Sequence, residues 1–446
     1  MSAAPTRHRA LLSAVIALIV AVSAAIYVGV AADDGDTGRS TLARGKTPRN
    51  SAAPVSTGTW VGTWSASPVG AEPGTETEGL AGRSVRNVVH TTVGGTSVRI
   101  TLSNLYGQSA LTITHASIAV AAAAESPAAI AETMRRLTFG GNTTVVIPPG
   151  QQTLSDAVRL TIPADSDILV TTYSPTVSGP VTFHPHARQT SYVAEGDLTE
   201  DATGMRYTTQ AQVWRYLTAL DVLSDESDGT VVVFGDSLTD GITSTANANR
   251  RWTDVLWQRI RSAVETGQDV PRYSVVNQGI SGNQVLANGN GRPADNQSGV
   301  GRFGRDALGR MNVKVVVIDL GVNDILRNPN LADPDQILDG LRTMVRQAHA
   351  RGLKVVGATL MPFQGHRGYT AARESVRQQI NAEIRGGRVF DAVADFDAAV
   401  RDPYNPRKFR PDYDSGDHLH PSDKGYARMA ETFDLNVLKG TAPAEL

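Results

Sequence analysis

From Trp60 to about Leu223 the pattern is one of short strands and turns, with apolar residues at every second position in several segments. Val98, Ile100 and Leu102 alternate with polar neighbours, as do Val158, Leu160 and Ile162. That is the period of a strand with one buried face. Further short apolar runs at 145–147 and 168–172 are punctuated by Pro148-Pro149-Gly150 and Ser178-Gly179-Pro180. So many short strands predict an all-β sandwich over residues 59–223. The Ala-rich stretch 121–134 is where a short helix is expected within it. After the polar segment 224–229 (SDESDG) the rhythm changes. Continuous apolar runs at 231–234, 273–277, 313–320 and 354–359, with a weaker one at 388–391, read as buried strands. Helical patterns over 253–264, 336–350 and 371–384 lie between them. This alternation predicts an α/β domain over 229–440, with a parallel sheet covered on both faces. Ligands of such sheets bind beyond the carboxyl ends of the strands.

The N-terminus follows other rules. Arg7, His8 and Arg9 precede an uncharged apolar run over 11–32. A charged start before an apolar core is an export signal. The run is long enough to span a bilayer, and Val30-Ala31-Ala32 offers a small-residue cleavage site, so residues 1–32 read as a signal peptide or a single-helix signal anchor. In both cases the arginines stay in the cytoplasm and the rest of the chain works outside it, secreted or anchored on the extracellular face. Residues 33–58, rich in Gly, Ser, Thr, Pro and charge, are expected as a flexible linker.

Composition narrows the chemistry. The 446 residues contain no cysteine, which excludes disulfides, thiolate metal sites and Cys nucleophiles. Lys+Arg 42 against Asp+Glu 44 gives a net charge of −2, so no electrostatic argument favours a nucleic-acid partner.

Chemistry concentrates where the predicted strands end. The first α/β strand ends in Gly235-Asp236-Ser237-Leu238, displaying a serine ahead of a helix. The second ends in Asn277-Gln278-Gly279-Ile280-Ser281-Gly282-Asn283, a turn whose glycines let backbone N–H groups face a ligand. The third ends in Gly321-Val322-Asn323-Asp324, and late in the chain comes Asp417-His418-Leu419-His420-Pro421, ahead of a helix starting near Ser422. A nucleophile, oxyanion donors, a base and an acid to orient it are the inventory of acyl transfer through a covalent intermediate.

These four blocks, in this order over about residues 230–440, resemble the SGNH or GDSL hydrolase family. More loosely, with Arg302-Phe303-x-Arg305-Asp306, they are similar to its extracellular arylesterase and xylan-associated acylhydrolase branch. The resemblance implies a three-layer, flavodoxin-like domain. It also implies that Ser237 is the nucleophile, His420 the base and Asp417 its acid. Oxyanion donors would be the N–H of Ser237, the N–H of Gly282, with Gly279 as the other candidate glycine, and the amide of Asn323. No cofactor or metal is implied. From the residues alone, Asp236 reads as a turn holder, Asp324 as structural, and Asn323 also as a candidate helix cap. Spacing favours Asp417 with His420 over Asp414 with His418, leaving His418 as a loop residue near the site. His184 and His186 read as surface or packing residues.

Other motifs fail on context. Residues 289–294 formally fit a dinucleotide-binding glycine pattern but open no helix, and Pro293 spoils the turn. The G-x-S-x-G elbow of α/β-hydrolases is absent. Loop 283–301 is expected as a rim or lid, and Phe363, Gln364, His366 and Tyr369 at the same mouth. The polar loops favour short acyl groups on carbohydrate-type alcohols. A lipase or phospholipase and an O-acyltransferase to a glycan acceptor are the alternatives, and oligomeric state is open.

Overall fold

The computed structural model describes residues 58–289 and 295–441. The predicted signal segment 1–32 and nearly all of the linker lie outside the described residues. No helix among the described residues is long and apolar enough to cross a membrane.

The N-terminal region is built from antiparallel sheets. In one, β1 (Thr59–Ser65) pairs with β7 (Leu217–Ser224), which pairs with β3 (Gly95–Ser103). In the other, β6 (Ser191–Glu195), β2 (Arg83–His90), β5 (Asp167–Ser174) and β4 (His115–Val120) lie side by side. Alternate residues of both sheets, among them Ile100, Leu102 and Val222 from one and Val85, Ile118 and Val170 from the other, share a single core. That is the sandwich that the period-two pattern predicts. The expected helix at 121–134 is not there: Ala121 bridges Ala129, and only a 3₁₀ turn forms at Ala131–Thr133. Pro127 stands in the middle of the stretch, and the Ala129 N–H is used by the Ala202 carbonyl, so local alanine propensity yields to Pro and to tertiary pairing.

The C-terminal region carries a five-stranded, all-parallel sheet: β8 (Gly229–Gly235), β9 (Tyr273–Gly279), β10 (Val313–Asp319), β11 (Lys354–Ala358) and β12 (Ala392–Ala394). Its spatial order, β9-β8-β10-β11-β12, is the doubly wound 2-1-3-4-5 arrangement, with β8 in the interior. The last strand begins later than the apolar run 388–391. Val389 and Phe390 enter the core, but ladder pairing starts at Ala392 opposite Val356. The Phe390 ring occupies the place a Cβ on Gly357 would take, 1.8 Å away, which fixes glycine at that point of β11. Flanking helices follow the sequence closely: α1 (Ser237–Asp240), α2 (Trp252–Glu265), α3 (Val322–Leu326), α4 (Pro334–His349), α5 (Ala371–Arg385), α6 (Phe396–Val400) and α7 (Asp423–Thr432). Asp333 and Thr370 cap α4 and α5 through backbone N–H groups, as their residue types favour.

The two regions belong to one compact unit. Strand β1 lies against β8 and β9. A Cβ on Gly62 would sit 3.3 Å from Val276, and the Gly62 N–H donates to Thr230 Oγ1 at 3.1 Å. This seam is rich in buried polar groups, with Gln278 bonded to both Ser65 and Ser67. The β region is therefore packed on the α/β sheet over buried surface.

Candidate active site

The site forms at the carboxyl ends of β8, β9 and β10 together with the segment before α7. Strand β8 is buried along its whole length and delivers Gly235 to a tight turn. A Cβ there would lie 2.3 Å from Thr239 Oγ1 and 2.5 Å from the Asp319 carbonyl, so only glycine fits. Asp236 caps α1 by accepting the Leu238 N–H at 3.0 Å, and Ser237 opens the helix. The turn-holding role read for Asp236 is thus visible, and the residue does more. Its Oδ2 accepts from Asn323 Nδ2 at 3.0 Å.

Ser237 Oγ lies 2.9 Å from His420 Nε2, and His420 Nδ1 lies 2.6 Å from Asp417 Oδ2. The other Asp417 oxygen accepts the N–H groups of Leu419 and His420, at 2.9 and 2.8 Å. Burial works to raise the Asp417 pKa. The bonds from the His420 side chain and backbone outweigh it and hold the carboxyl well below the usual carboxylate range. Residue 420 is held in place from behind. Ser422 caps α7, Thr243 Oγ1 donates to the Pro421 carbonyl at 2.7 Å, and Asp423 accepts the Thr245 N–H at 2.9 Å.

The β9 turn separates the two candidate glycines. Gly279 N–H is taken by Asn277 Oδ1, Ile280 N–H by the Gly235 carbonyl, Ser281 N–H by Asp240 Oδ2 and Asn283 N–H by the Ile280 carbonyl. Gly282, at φ +75°, is the residue of this turn whose N–H has no partner among the described residues. Gly279 has a packing role: a Cβ there would stand 2.3 Å from the Asp240 backbone nitrogen.

Asn323 does not cap α3. The N-cap is Gly321, at φ +133°. Both ends of the Asn323 amide are fixed instead, since Nδ2 donates to Asp236 while Oδ1 accepts from Arg327 Nε at 3.2 Å. This orientation leaves the second Nδ2 proton as the one available to a ligand. Asp324 is structural: it accepts the N–H groups of Val285 and Leu286, and burial raises its pKa to about 6 against those bonds.

Beneath the serine lie two fully buried carboxyl groups. Asp319 is the register partner of Gly235, which places it beside Asp236. Burial raises the pKa of both, and in Asp236 the Asp319 charge raises it further.

Several residues escaped the sequence reading. Arg327 stands four residues after Asn323, the spacing of neighbours on a helix, and that signal could have found it. Gln284 Nε2 donates to the Asn323 carbonyl at 3.3 Å. The pair Asp414 and His418, set aside on spacing, does form: His418 Nδ1 lies 2.6 Å from Asp414 Oδ2, and Asp414 Oδ1 accepts the His418 N–H at 3.0 Å. The left-handed backbone of His418, φ +62°, lets a four-residue spacing close that contact. Its ring packs against Gly365. Phe363 is fully buried against Tyr369 and so does not face the mouth. Arg302 is also fully buried. Its guanidinium lies over the Phe234 ring and donates to Asn283 Oδ1 and the Gly235 carbonyl at 2.9 and 2.8 Å. No group of three or more His, Asp or Glu residues among the described residues could hold a metal ion.

Comparison with known proteins places this geometry. Residues 233–428 match the model of the GDSL-like lipase/acylhydrolase family. Similar solved structures include a lipase/acylhydrolase from Enterococcus faecalis, 20% identical over 49% of this chain and 100% of its own, with a TM-score of 0.36. Another is a GDSL-like lipase from Bacteroides thetaiotaomicron, 20% identical over 45% and 84%, TM-score 0.32. A third is Est24, a carbohydrate acetylesterase from Sinorhizobium meliloti, 16% identical over 46% and 95%, TM-score 0.34. No curated protein matches the sequence. Residues 233–428 therefore form a GDSL-like lipase/acylhydrolase domain, a carboxylic ester hydrolase domain.

Proposed function

We propose that this enzyme is an extracellular serine esterase that removes short acyl groups from carbohydrate-type alcohols through an acyl-enzyme on Ser237. The observation that carries the mechanism is the continuous Asp417–His420–Ser237 relay, at 2.6 and 2.9 Å. His420 takes the Ser237 proton as Oγ attacks the acyl carbonyl, and returns it to the leaving alcohol. The N–H groups of Ser237 and Gly282 and the Asn323 amide receive the oxyanion. Water then attacks the acyl-enzyme, with His420 again as base.

Two features support a short acyl group. Asn323 is held by three polar side chains, Asp236 and Arg327 on its amide and Gln284 on its carbonyl. The cavity beside Gly282 is narrow, and Asn283, Gln284, Asn296 and Gln297 line it together with Tyr106, Ile280 and Ala287. An alkyl chain would desolvate these groups without replacing their hydrogen bonds. The extracellular setting rests on the charged start and apolar run of residues 1–32.

The test is an acyl-chain-length profile on nitrophenyl esters, using the chain from residue 33 onward with Ser237→Ala beside it. A sharp acetyl preference that vanishes in Ser237→Ala is expected. A maximum at long chains would replace the carbohydrate reading with a lipase or phospholipase one. Hydrolysis that survives Ser237→Ala would refute the mechanism.

A further inference from the structure

The turn bearing Gly282 is braced by the β-sandwich. Ser281, the residue before Gly282, donates both its N–H, at 3.0 Å, and its hydroxyl to Asp240 Oδ2. Asp240 is the last residue of α1, the helix that Ser237 opens. The other Asp240 oxygen lies 3.1 Å from Nε2 of His184, a residue of the sandwich region 56 positions earlier in the chain. His184 Nδ1 in turn faces the Ser67 carbonyl at 2.7 Å. A carbonyl and a carboxylate both accept only, so satisfying both contacts requires the ring to donate from each nitrogen. His184 and Asp240 are 4% and 3% exposed, which makes this a desolvated pair. Burial raises the Asp240 pKa, and His184, the Ser281 hydroxyl and His186 together more than reverse that, His184 first among them.

We propose that His184 is a positioning residue for ester hydrolysis: acting through Asp240 and Ser281, it holds the turn that aims the Gly282 N–H at the oxyanion. The sandwich is then a working part of the active site. The inference rests on the reading of Gly282 as an oxyanion donor. Geometry favours it because both Ser281 donors converge on Asp240 Oδ2 while His184 Nε2 faces Asp240 Oδ1, so one carboxylate links the ring to the turn. Losing His184 removes the hydrogen-bonded ring that faces Asp240 Oδ1, and the buried carboxylate relaxes by drawing in water or shifting, with Ser281 attached to it. Donors aimed at an oxyanion act only when held in place, and a displacement of about 1 Å can cost ~100-fold in rate.

The experiment compares the wild-type chain with His184→Ala and the milder His184→Gln, which retains a donor toward Asp240. Steady-state kinetics on nitrophenyl acetate are expected to show kcat reduced about 10- to 100-fold in His184→Ala, with KM within about threefold and partial recovery in His184→Gln. Asp240→Asn combined with His184→Ala is expected to be little worse than either alone, since both act on one contact. Amide hydrogen exchange of the peptide spanning 277–283 is expected to quicken at least tenfold in His184→Ala, while 415–422 exchanges as in wild type. Unchanged exchange at the turn, or a loss confined to KM, would overturn the proposal. Should His184→Ala fail to fold, His184→Gln carries the same two measurements. A wild-type chain lacking Ser237-dependent hydrolysis would sink the mechanism instead, and the exchange data would still decide whether His184 holds the turn.

Discussion

Replacing Asp319 with asparagine should change how stability depends on pH, and the size of the change follows from the burial of the pair beneath Ser237. Asp319 is 2% exposed and receives a hydrogen bond from Thr239 Oγ1 at 3.2 Å, too little to offset desolvation. Burial raises its pKa to about 7. In the unfolded chain the same carboxyl titrates near 4. Between roughly pH 5 and 6 the native state therefore holds a proton that the unfolded state lacks, and stability falls by up to about 1.4 kcal/mol per pH unit, the slope halving by pH 7. The contribution is fully present below the ordinary carboxylate range and is lost as pH rises through about 7. Over those two units this single group removes about 2 kcal/mol, because the native carboxyl is already half ionised at pH 7. The amide introduced by Asp319→Asn would not titrate, and the absence of the carboxylate charge would also lower the neighbouring Asp236, whose pKa is raised by burial and then by Asp319. The difference between Asp319→Asn and wild type should therefore shift in favour of the variant by at least about 2 kcal/mol from pH 5 to 7. Urea unfolding followed by circular dichroism at pH 5, 6, 7 and 8 measures it, with titrations remote from the pair cancelling in the difference. Parallel stability curves for the two proteins would show that Asp319 is not held neutral in the native state.

Three further outcomes follow from the site. Asn323→Ala removes one oxyanion donor and leaves Asp236 Oδ2 without its partner. Its kcat should fall about 10²- to 10³-fold with KM little changed, as read by steady-state kinetics. In Asp417→Asn the side-chain amide can turn its NH2 toward His420 Nδ1 and favour the wrong tautomer, so kcat should drop about 10⁴-fold while the melting temperature stays near that of wild type. Gly279→Ala places a Cβ 2.3 Å from a backbone nitrogen that cannot swing away, and thermal unfolding should register a loss of about 1–3 kcal/mol.

Which parts of this molecule were legible in its sequence follows from how local their signals are. The parallel strands announce themselves because both faces are covered, so Val231, Val232, Val233 and Phe234 run together without a polar break. The chemistry clusters where those runs end, since glycines and small polar residues must replace valines wherever a strand turns toward a ligand. The Asp417 and His420 contact lies within one loop and reads from spacing. The Asp414 and His418 contact was missed there because it needs a non-glycine residue at positive φ, a conformation that spacing does not disclose. The 121–134 stretch failed for a related reason: alanine content is a local preference, and the Ala129 pairing that overrides it comes from residue 202.

The contacts between the two regions were illegible for a stronger reason. His184 and Asp240, Ser67 and Gln278, and Asn296 and Gly70 are 56, 211 and 226 residues apart. None of these residues belongs to an apolar period, and each type is common on surfaces. A buried polar contact marks itself in sequence only when both partners sit in one local motif, as Asp417 and His420 do. When the partners come from different sheets, each looks like ordinary loop polarity, and only the packing of β1 against β8 and β9 turns them into a network. The cost of an unmade bond in that setting makes such a seam specific, since a slip between the sheets would strand several donors and acceptors at once. A seam that fixes the two sheets so tightly also fixes whatever is attached to it, and Gly282 is attached through Ser281 and Asp240.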